Sequence, residues 1–141
     1  MGLFGEKKKK IIIAEDDANI RNIIKFTLES AGYKVVEFEN GGLALEAIPK
    51  EMPDAIVLDV MMPIKNGFEV CYEVKQNTKL NHIPILILTA TTQTSSKSDD
   101  YWKIRSKADA FITKPFKAAV LVSEIKDMIA ASSSGGAEYR I

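Results

Sequence analysis

The stretch AIVLDVMMPIKNG, Ala55 to Gly67, decides how the rest of the chain is read. Ala55-Ile56-Val57-Leu58 is short, apolar and partly β-branched, the pattern of a strand buried on both faces of a parallel sheet. Asp59 closes it. In open α/β sheets ligands bind beyond the carboxyl ends of the strands, so a carboxylate at this position faces a crevice. Pro63 disfavours helix in the residues that follow, and Gly67 after Asn66 permits a positive φ angle. A shaped loop is expected there.

Outward from this stretch, the same pattern recurs. Lys10 to Ala14 (KIIIA) is a second buried strand, ending in Glu15-Asp16-Asp17. Asp17 is placed to cap a helix whose apolar positions Ile20, Ile23, Ile24, Leu28 and Ala31 follow helical spacing, with Gly32 as its C-terminal cap. Lys34 to Phe38 is β-rich, Asn40-Gly41-Gly42 punctuates it, and Leu43 to Ile48 makes a short helix stopped near Pro49. Phe68, Cys71 and Val74 suit a third helix to about Gln76, and Ile85 to Leu88 is a strand ending at Thr89. Thr91 to Ser98 is polar and leads into a fourth helix near Asp99 to Ser106, with Tyr101, Ile104 and Ala108 facing inward. Asp109 to Thr113 is a brief last strand, Lys114-Pro115 a turn, and Ala118, Leu121, Val122, Ile125 and Ile129 mark a fifth helix. Strand and helix alternate throughout. That order calls for a parallel sheet with right-handed crossovers and helices on both faces, a three-layer α/β/α sandwich.

Composition bounds the function. A chain of 141 residues, 46% hydrophobic and 27% charged, fits one globular domain. We divide it into a flexible N-terminus (1–8), a domain (9–131) and a tail or linker (132–141) built around Ser132-Ser133-Ser134-Gly135-Gly136. Lys+Arg and Asp+Glu are both 19, so nothing pulls the whole chain toward nucleic acid or membrane. The run Lys7 to Lys10 reads as keeping the N-terminus soluble. Cys71 has no disulfide partner within the chain, and no segment is long or apolar enough to span a bilayer, which makes the cytoplasm the default compartment. His82 reads as a surface residue and Cys71 as helix packing. Trp102 falls off the inner stripe of its helix, as an aromatic for a partner or as one buried under the preceding loop.

In a parallel sheet the strand ends share one edge, so Glu15, Asp16, Asp59, Thr89 and Lys114 gather there. Three crowded carboxylates repel one another, and a hard divalent cation with oxygen ligands is the usual remedy. Mg²⁺ is the natural candidate. It keeps waters and shares its sphere with phosphate oxygens, so the site suits a phosphoryl group, with Asp59 as nucleophile, Thr89 as hydroxyl donor and Lys114 as a second positive charge.

At these residues the chain resembles the receiver domain of bacterial two-component response regulators, in the single-domain form of the chemotaxis regulators, over roughly Lys9 to Ala130. The motifs that carry the resemblance are IIIAEDD (Ile11 to Asp17), LDVMMPIKNG (Leu58 to Gly67), ILTA (Ile87 to Ala90) and FITKPF (Phe111 to Phe116), in that order. It implies a flavodoxin-like five-stranded sheet of order 2-1-3-4-5 and Asp59 as acceptor of a phosphoryl group from a histidine kinase or phosphotransfer protein. By the same resemblance Asp16, Asp59 and the backbone carbonyl of Met61 would ligate Mg²⁺, with Glu15 acting through a metal-bound water. Thr89 and Lys114 would hold the phosphoryl group. Phe111 matches the aromatic that swings inward with the threonine, altering the surface of helix 4, strand 5 and helix 5, where an output protein or a second copy would bind. The implied chain is a phosphoacceptor signalling domain that catalyses only its own phosphorylation and dephosphorylation, not an enzyme acting on outside substrates.

This sequence departs from the family pattern at three places. Glu15 replaces a common aspartate, Lys107 stands where glycine is usual, and the Thr91 to Asp100 segment is a few residues longer, which shifts helix 4. Met61 and Thr91 stand where the family tunes loss of the phosphoryl group, and because Met61 offers no polar group to orient water, slow autodephosphorylation is expected. Three rival readings remain open at this point. A phosphorylation-independent binding module is one; an aspartate-nucleophile phosphatase wants a second aspartate where Met61 stands; a flavin-binding relative would yield a yellow protein. No GxxxxGK loop is present for a nucleotide hydrolase.

Overall fold

Three unbroken apolar runs, 11–14, 55–58 and 85–88, become strands buried on both faces, and the partly buried stretches 34–38 and 110–113 flank them as edge strands. The computed structural model describes residues 7–90, 101 and 103–133, the side chain at 133 excepted. In chain order they form β1 (Lys10–Ala14), α1 (Ala18–Ser30), β2 (Lys34–Phe38), α2 (Gly41–Glu51), β3 (Ala55–Asp59), α3 (Gly67–Gln76), β4 (Ile85–Thr89), a helical piece α4 at 101 and 103–105, β5 (Ala110–Thr113) and α5 (Ala118–Ser133). The sheet is parallel throughout, with order β2-β1-β3-β4-β5. The parallel three-layer sandwich is the one expected from the alternation of elements, and its strand order is the flavodoxin-like one that the resemblance implies.

Alternate residues of each strand feed opposite layers. Ile12, Ala14, Ile56, Leu58, Ile85 and Ile87 pack with α2 and α3, while Ile11, Ile13, Val57, Leu86 and Leu88 pack with α1 and α5. At about 1.5–3 kcal/mol for each large side chain removed from water, these central strands dominate the favourable side of folding. α1 is capped by Asp17, whose carboxylate accepts from the Asn19 and Ile20 N–H groups. It closes at Gly32, φ +101°, with Gly32 N–H donating to Glu29 O and Tyr33 N–H to Leu28 O, the paired bonds of a Schellman motif.

Several elements differ from the reading of the sequence. α2 runs through Pro49 to Glu51 instead of stopping before it. Proline removes one N–H bond locally, but Ala44 and Ile48 are fully buried and Met52 N–H still reaches Ile48 O at 2.9 Å, so tertiary packing outweighs the local rule. Asn40 is the cap of α2, accepting from Leu43 N–H at 2.8 Å, and Gly41 is needed because a Cβ there would collide with the Lys65 carbonyl. Tyr101 and Ile104 do not face inward: they are 53% and 79% exposed, while Ser106 is fully buried. The Arg105 guanidinium lies between the Tyr72 and Tyr101 rings, 5.5 and 5.6 Å from their centroids, which draws Tyr101 outward. Asp109 precedes β5, and its carboxylate accepts from Ile85 N–H at 2.8 Å at the start of β4. α5 extends through Ser132 and Ser133, two residues into the stretch whose composition suggests a linker, and Ser132 Oγ donates to His82 O at 3.3 Å. Ala118, at its other end, is exposed. Trp102 and the Thr91 to Asp100 segment lie outside the described residues.

Candidate functional site

The site is assembled by register. Ala14 pairs with Leu58, Asp59 with Leu88, and Thr89 with Thr113, so the next residues of β1 and β5, Glu15 and Lys114, arrive at the same edge. Backbone bonds lock the loops that follow: Glu15 N–H to Phe38 O at 3.1 Å, Val60 N–H to Leu88 O at 3.1 Å, and Lys114 N–H to Thr89 O at 2.7 Å. The Lys114–Pro115 peptide bond is cis.

Glu15 and Asp59 are buried, at 1% and 3% exposure, whereas Asp16 is exposed. Carboxylate oxygens of all three lie within 4.8 Å of one another. Lys114 Nζ is 2.5 Å from Asp59 Oδ1 and 3.0 Å from Glu15 Oε1. The other Glu15 oxygen accepts from Asp17 N–H at 3.1 Å, and Arg21 Nη1 donates to the Glu15 backbone carbonyl at 2.8 Å. Arg21 was missed in the sequence, where nothing beyond its place in the first turn of α1 distinguishes it.

Burial pushes the Asp59 carboxyl above its ordinary range, against the lowering effect of Lys114 and of the Met61 N–H bond. Burial likewise raises Glu15, with Asp59 adding to the rise. For Lys114 burial acts downward, yet its bonds to Asp59 and Glu15 prevail and the net shift is upward. One ammonium thus serves two buried carboxylates while a third, Asp16, stands beside them. Such a surplus of negative oxygen suits a hard divalent cation.

Thr89 is half-buried at the end of β4, and Phe111 on β5 is 37% exposed. Met61 turns its side chain to solvent, 70% exposed. Gly67 is required, though not for positive φ: a Cβ there would sit 2.5 Å from the Asp59 carbonyl oxygen, so the loop's return onto the strand end needs a bare α-carbon. The positive φ in this loop belongs to Ile64, at 72°.

Three kinds of similarity agree with this geometry. The family model described as response regulator receiver domain matches residues 11–126. The chain is 35% identical over 124 residues to the probable transcriptional regulator ycf27 of Guillardia theta, covering 88% of this chain and 46% of that protein. The chain therefore spans about half the length of this curated relative. Among solved structures, the signal receiver domain of a signal transduction histidine kinase from Syntrophus aciditrophicus superposes with TM-score 0.81 at 33% identity, covering 87% of this chain and 91% of that one. The receiver domain of sensor histidine kinase PA1611 from Pseudomonas aeruginosa PAO1, solved with magnesium in its active-site cleft, shares the fold at TM-score 0.78 and 24% identity, over 88% of this chain and 99% of that one. With a five-stranded 2-1-3-4-5 sheet, an acidic cluster at its carboxyl edge and a family match over most of its length, this chain belongs to the response regulator receiver domain family.

Proposed function

We propose that Asp59 is the phosphoacceptor of a histidine-to-aspartate relay. The observation that carries this reading is the placement of the Asp59 carboxylate against Lys114 Nζ, 2.5 Å away, beside Glu15 and Asp16. A carboxylate oxygen of Asp59 attacks phosphorus; the new O–P bond forms as the P–N bond to the donor imidazole breaks, and the electron pair leaves with that nitrogen. Lys114 then moves its ammonium from the carboxylates to a phosphoryl oxygen, neutralising charge that builds as the bond forms. The half-buried Thr89 is the hydroxyl donor to a second phosphoryl oxygen.

Asp16 and Asp59, with the Met61 carbonyl, would hold Mg²⁺ directly and Glu15 would act through a bound water; three carboxylates whose oxygens approach within 4.8 Å fit that cation. Bound there, Mg²⁺ would supply charge neutralisation between carboxylate and phosphoryl oxygens. The chain turns over no outside substrate in this reading. Its phosphodonor is a sensor histidine kinase or phosphotransfer protein, and Phe111 with Thr89 relays phosphorylation to the α4, β5 and α5 surface, where an output protein or a second copy binds. With Met61 exposed and without a polar group to position water, the phosphoryl group is lost slowly. No helix among the described residues is long and apolar enough to cross a membrane, and a cytoplasmic place suits partners of this kind.

Intact mass after incubation with Mg²⁺ and acetyl phosphate tests the proposal. One phosphoryl adduct that requires Mg²⁺ and disappears in Asp59→Asn supports it. A folded chain that takes no adduct favours the phosphorylation-independent binding module.

A further inference from the structure

On the edge of the sheet opposite the acidic site, the corner where β1 and β2 begin is rich in lysine, while Asp54, which accepts from Lys10 N–H, and Asp109, which accepts from Ile85 N–H, stand farther along it. Lys10 and Lys34 open β1 and β2 as direct neighbours in register, and Lys34 N–H donates to Lys9 O at 2.9 Å. Together with Lys7 and Lys8 they line a groove of about 770 Å³ floored by Tyr33, in which Glu29 is the one acid. Lys10 is neutralised by Glu51 at 2.9 Å. Among the described residues, Lys7, Lys8, Lys9 and Lys34 have no ion pair, and all four are exposed. A chain with zero formal net charge gives no hint of this from composition.

We propose that this corner docks the domain on an anionic phospholipid surface. Lys7, Lys8, Lys9 and Lys34 are long, exposed and without an ion pair, with no buried polar group among them to define a small-anion site, so they present delocalised positive charge to an extended surface. The sequence sets Leu3 and Phe4 ahead of the lysine run, and apolar residues beside a polybasic stretch suit a lipid interface better than a nucleic acid backbone. The orientation is workable too. β1 carries the chain from Lys10 to Ala14, about 13 Å at the rise of a strand, so docking at its start leaves the Asp59 edge pointing away from the bilayer.

The full chain is sedimented with vesicles of phosphatidylcholine alone and of phosphatidylcholine with phosphatidylglycerol. It is expected to pellet only with the anionic vesicles, to be released by added salt, and to lose about tenfold or more in partitioning when Lys7, Lys8, Lys9 and Lys34 are all changed to Gln. The thermal midpoint and labelling by acetyl phosphate are read in parallel to separate lost docking from lost fold. Lys7→Glu with Lys8→Glu, which precedes β1 and leaves the strands intact, gives the same loss where the fourfold variant unfolds. Absence of pelleting by the folded native chain, equal pelleting by either folded variant, or retention on duplex DNA without vesicle binding would each overturn the proposal.

Discussion

Lys114 Nζ sits 2.5 Å from Asp59 Oδ1, so one ammonium holds the candidate phosphoacceptor in place before any phosphoryl group arrives. It also reaches Glu15 at 3.0 Å, and both carboxyls are raised by burial despite it. A native carboxyl raised above its unfolded value holds its proton more tightly than the unfolded chain does. Its contribution to stability therefore declines as pH rises from the ordinary carboxylate range through the native value.

Lys114→Ala removes the partner of two buried carboxylates. The variant is predicted to lose about 2–3 kcal/mol at pH 7, less than a fully desolvated pair because the lysine side chain is 21% exposed. The loss should shrink at acidic pH, as the raised Asp59 and Glu15 carboxyls take up protons, and Mg²⁺ should restore part of it at pH 7. Urea unfolding at pH 7 and at acidic pH with and without Mg²⁺ checks this; a loss independent of pH and metal would contradict it.

Mg²⁺ competes with protons for the same oxygens, so its affinity for the native chain should strengthen as pH rises through the raised Asp59 and Glu15 range. At about a hundred times its dissociation constant, the cation should add about 2.7 kcal/mol of stability, removable with a chelator. Thermal midpoints across a Mg²⁺ titration at two pH values give the answer. The same midpoint with Mg²⁺ and with chelator would remove the metal site.

Gly67→Ala is predicted to cost about 2 kcal/mol, although alanine is the better helix former at the start of α3. The added Cβ meets the Asp59 carbonyl oxygen at 2.5 Å, so the strand end must move. Acetyl phosphate labelling should slow together with the loss of stability. Gly32→Ala, placed where nothing lies within 4 Å, should lose stability through its φ of +101° but label at the native rate.

How much of this was legible beforehand depends on the range of the force involved. The strands could be read because Ile11 to Ala14, Ala55 to Leu58 and Ile85 to Leu88 are unbroken apolar runs, and their period and length survive any tertiary context. Glu15, Asp16, Asp59, Thr89 and Lys114 followed from the strand ends, since a parallel sheet collects them on one edge. The misreadings came where a distant neighbour decides. Pro49 stays in α2 because the core holds Ile48, and Tyr101 turns outward to meet Arg105. Gly67 is glycine because of the Asp59 carbonyl, and the lysines at 7–10 gain meaning only from Lys34, brought alongside by the sheet.

Cys71 is fully buried on α3, its thiol donating to Ser106 O at 3.2 Å, and burial pushes its pKa up to about 12. Because the thiolate is the reacting form, the native chain should resist a disulfide reagent at pH 8 and react only as fast as it opens. Reaction at the rate of a free thiol, with the chain still folded by circular dichroism, would contradict this.

Ile64 holds φ at 72°, a conformation that a β-branched residue adopts only under strain. Its side chain is 75% exposed, so it recovers little by burial, although its Cγ2 fills the space into which a Cβ at Gly42 would project. Left-handed backbone costs an ordinary residue about 1–2 kcal/mol, and glycine avoids this while adding unfolded-state entropy worth somewhat less. Ile64→Gly should therefore raise stability by about 0.5–1 kcal/mol and lift the thermal midpoint by a few degrees. The loop leads from Asp59 into α3, so the acetyl phosphate labelling rate should be measured beside the midpoint. A higher midpoint with unchanged labelling would show that the strain lies apart from the chemistry. A lower midpoint would mean that filling the space beside Gly42 outweighs the backbone cost.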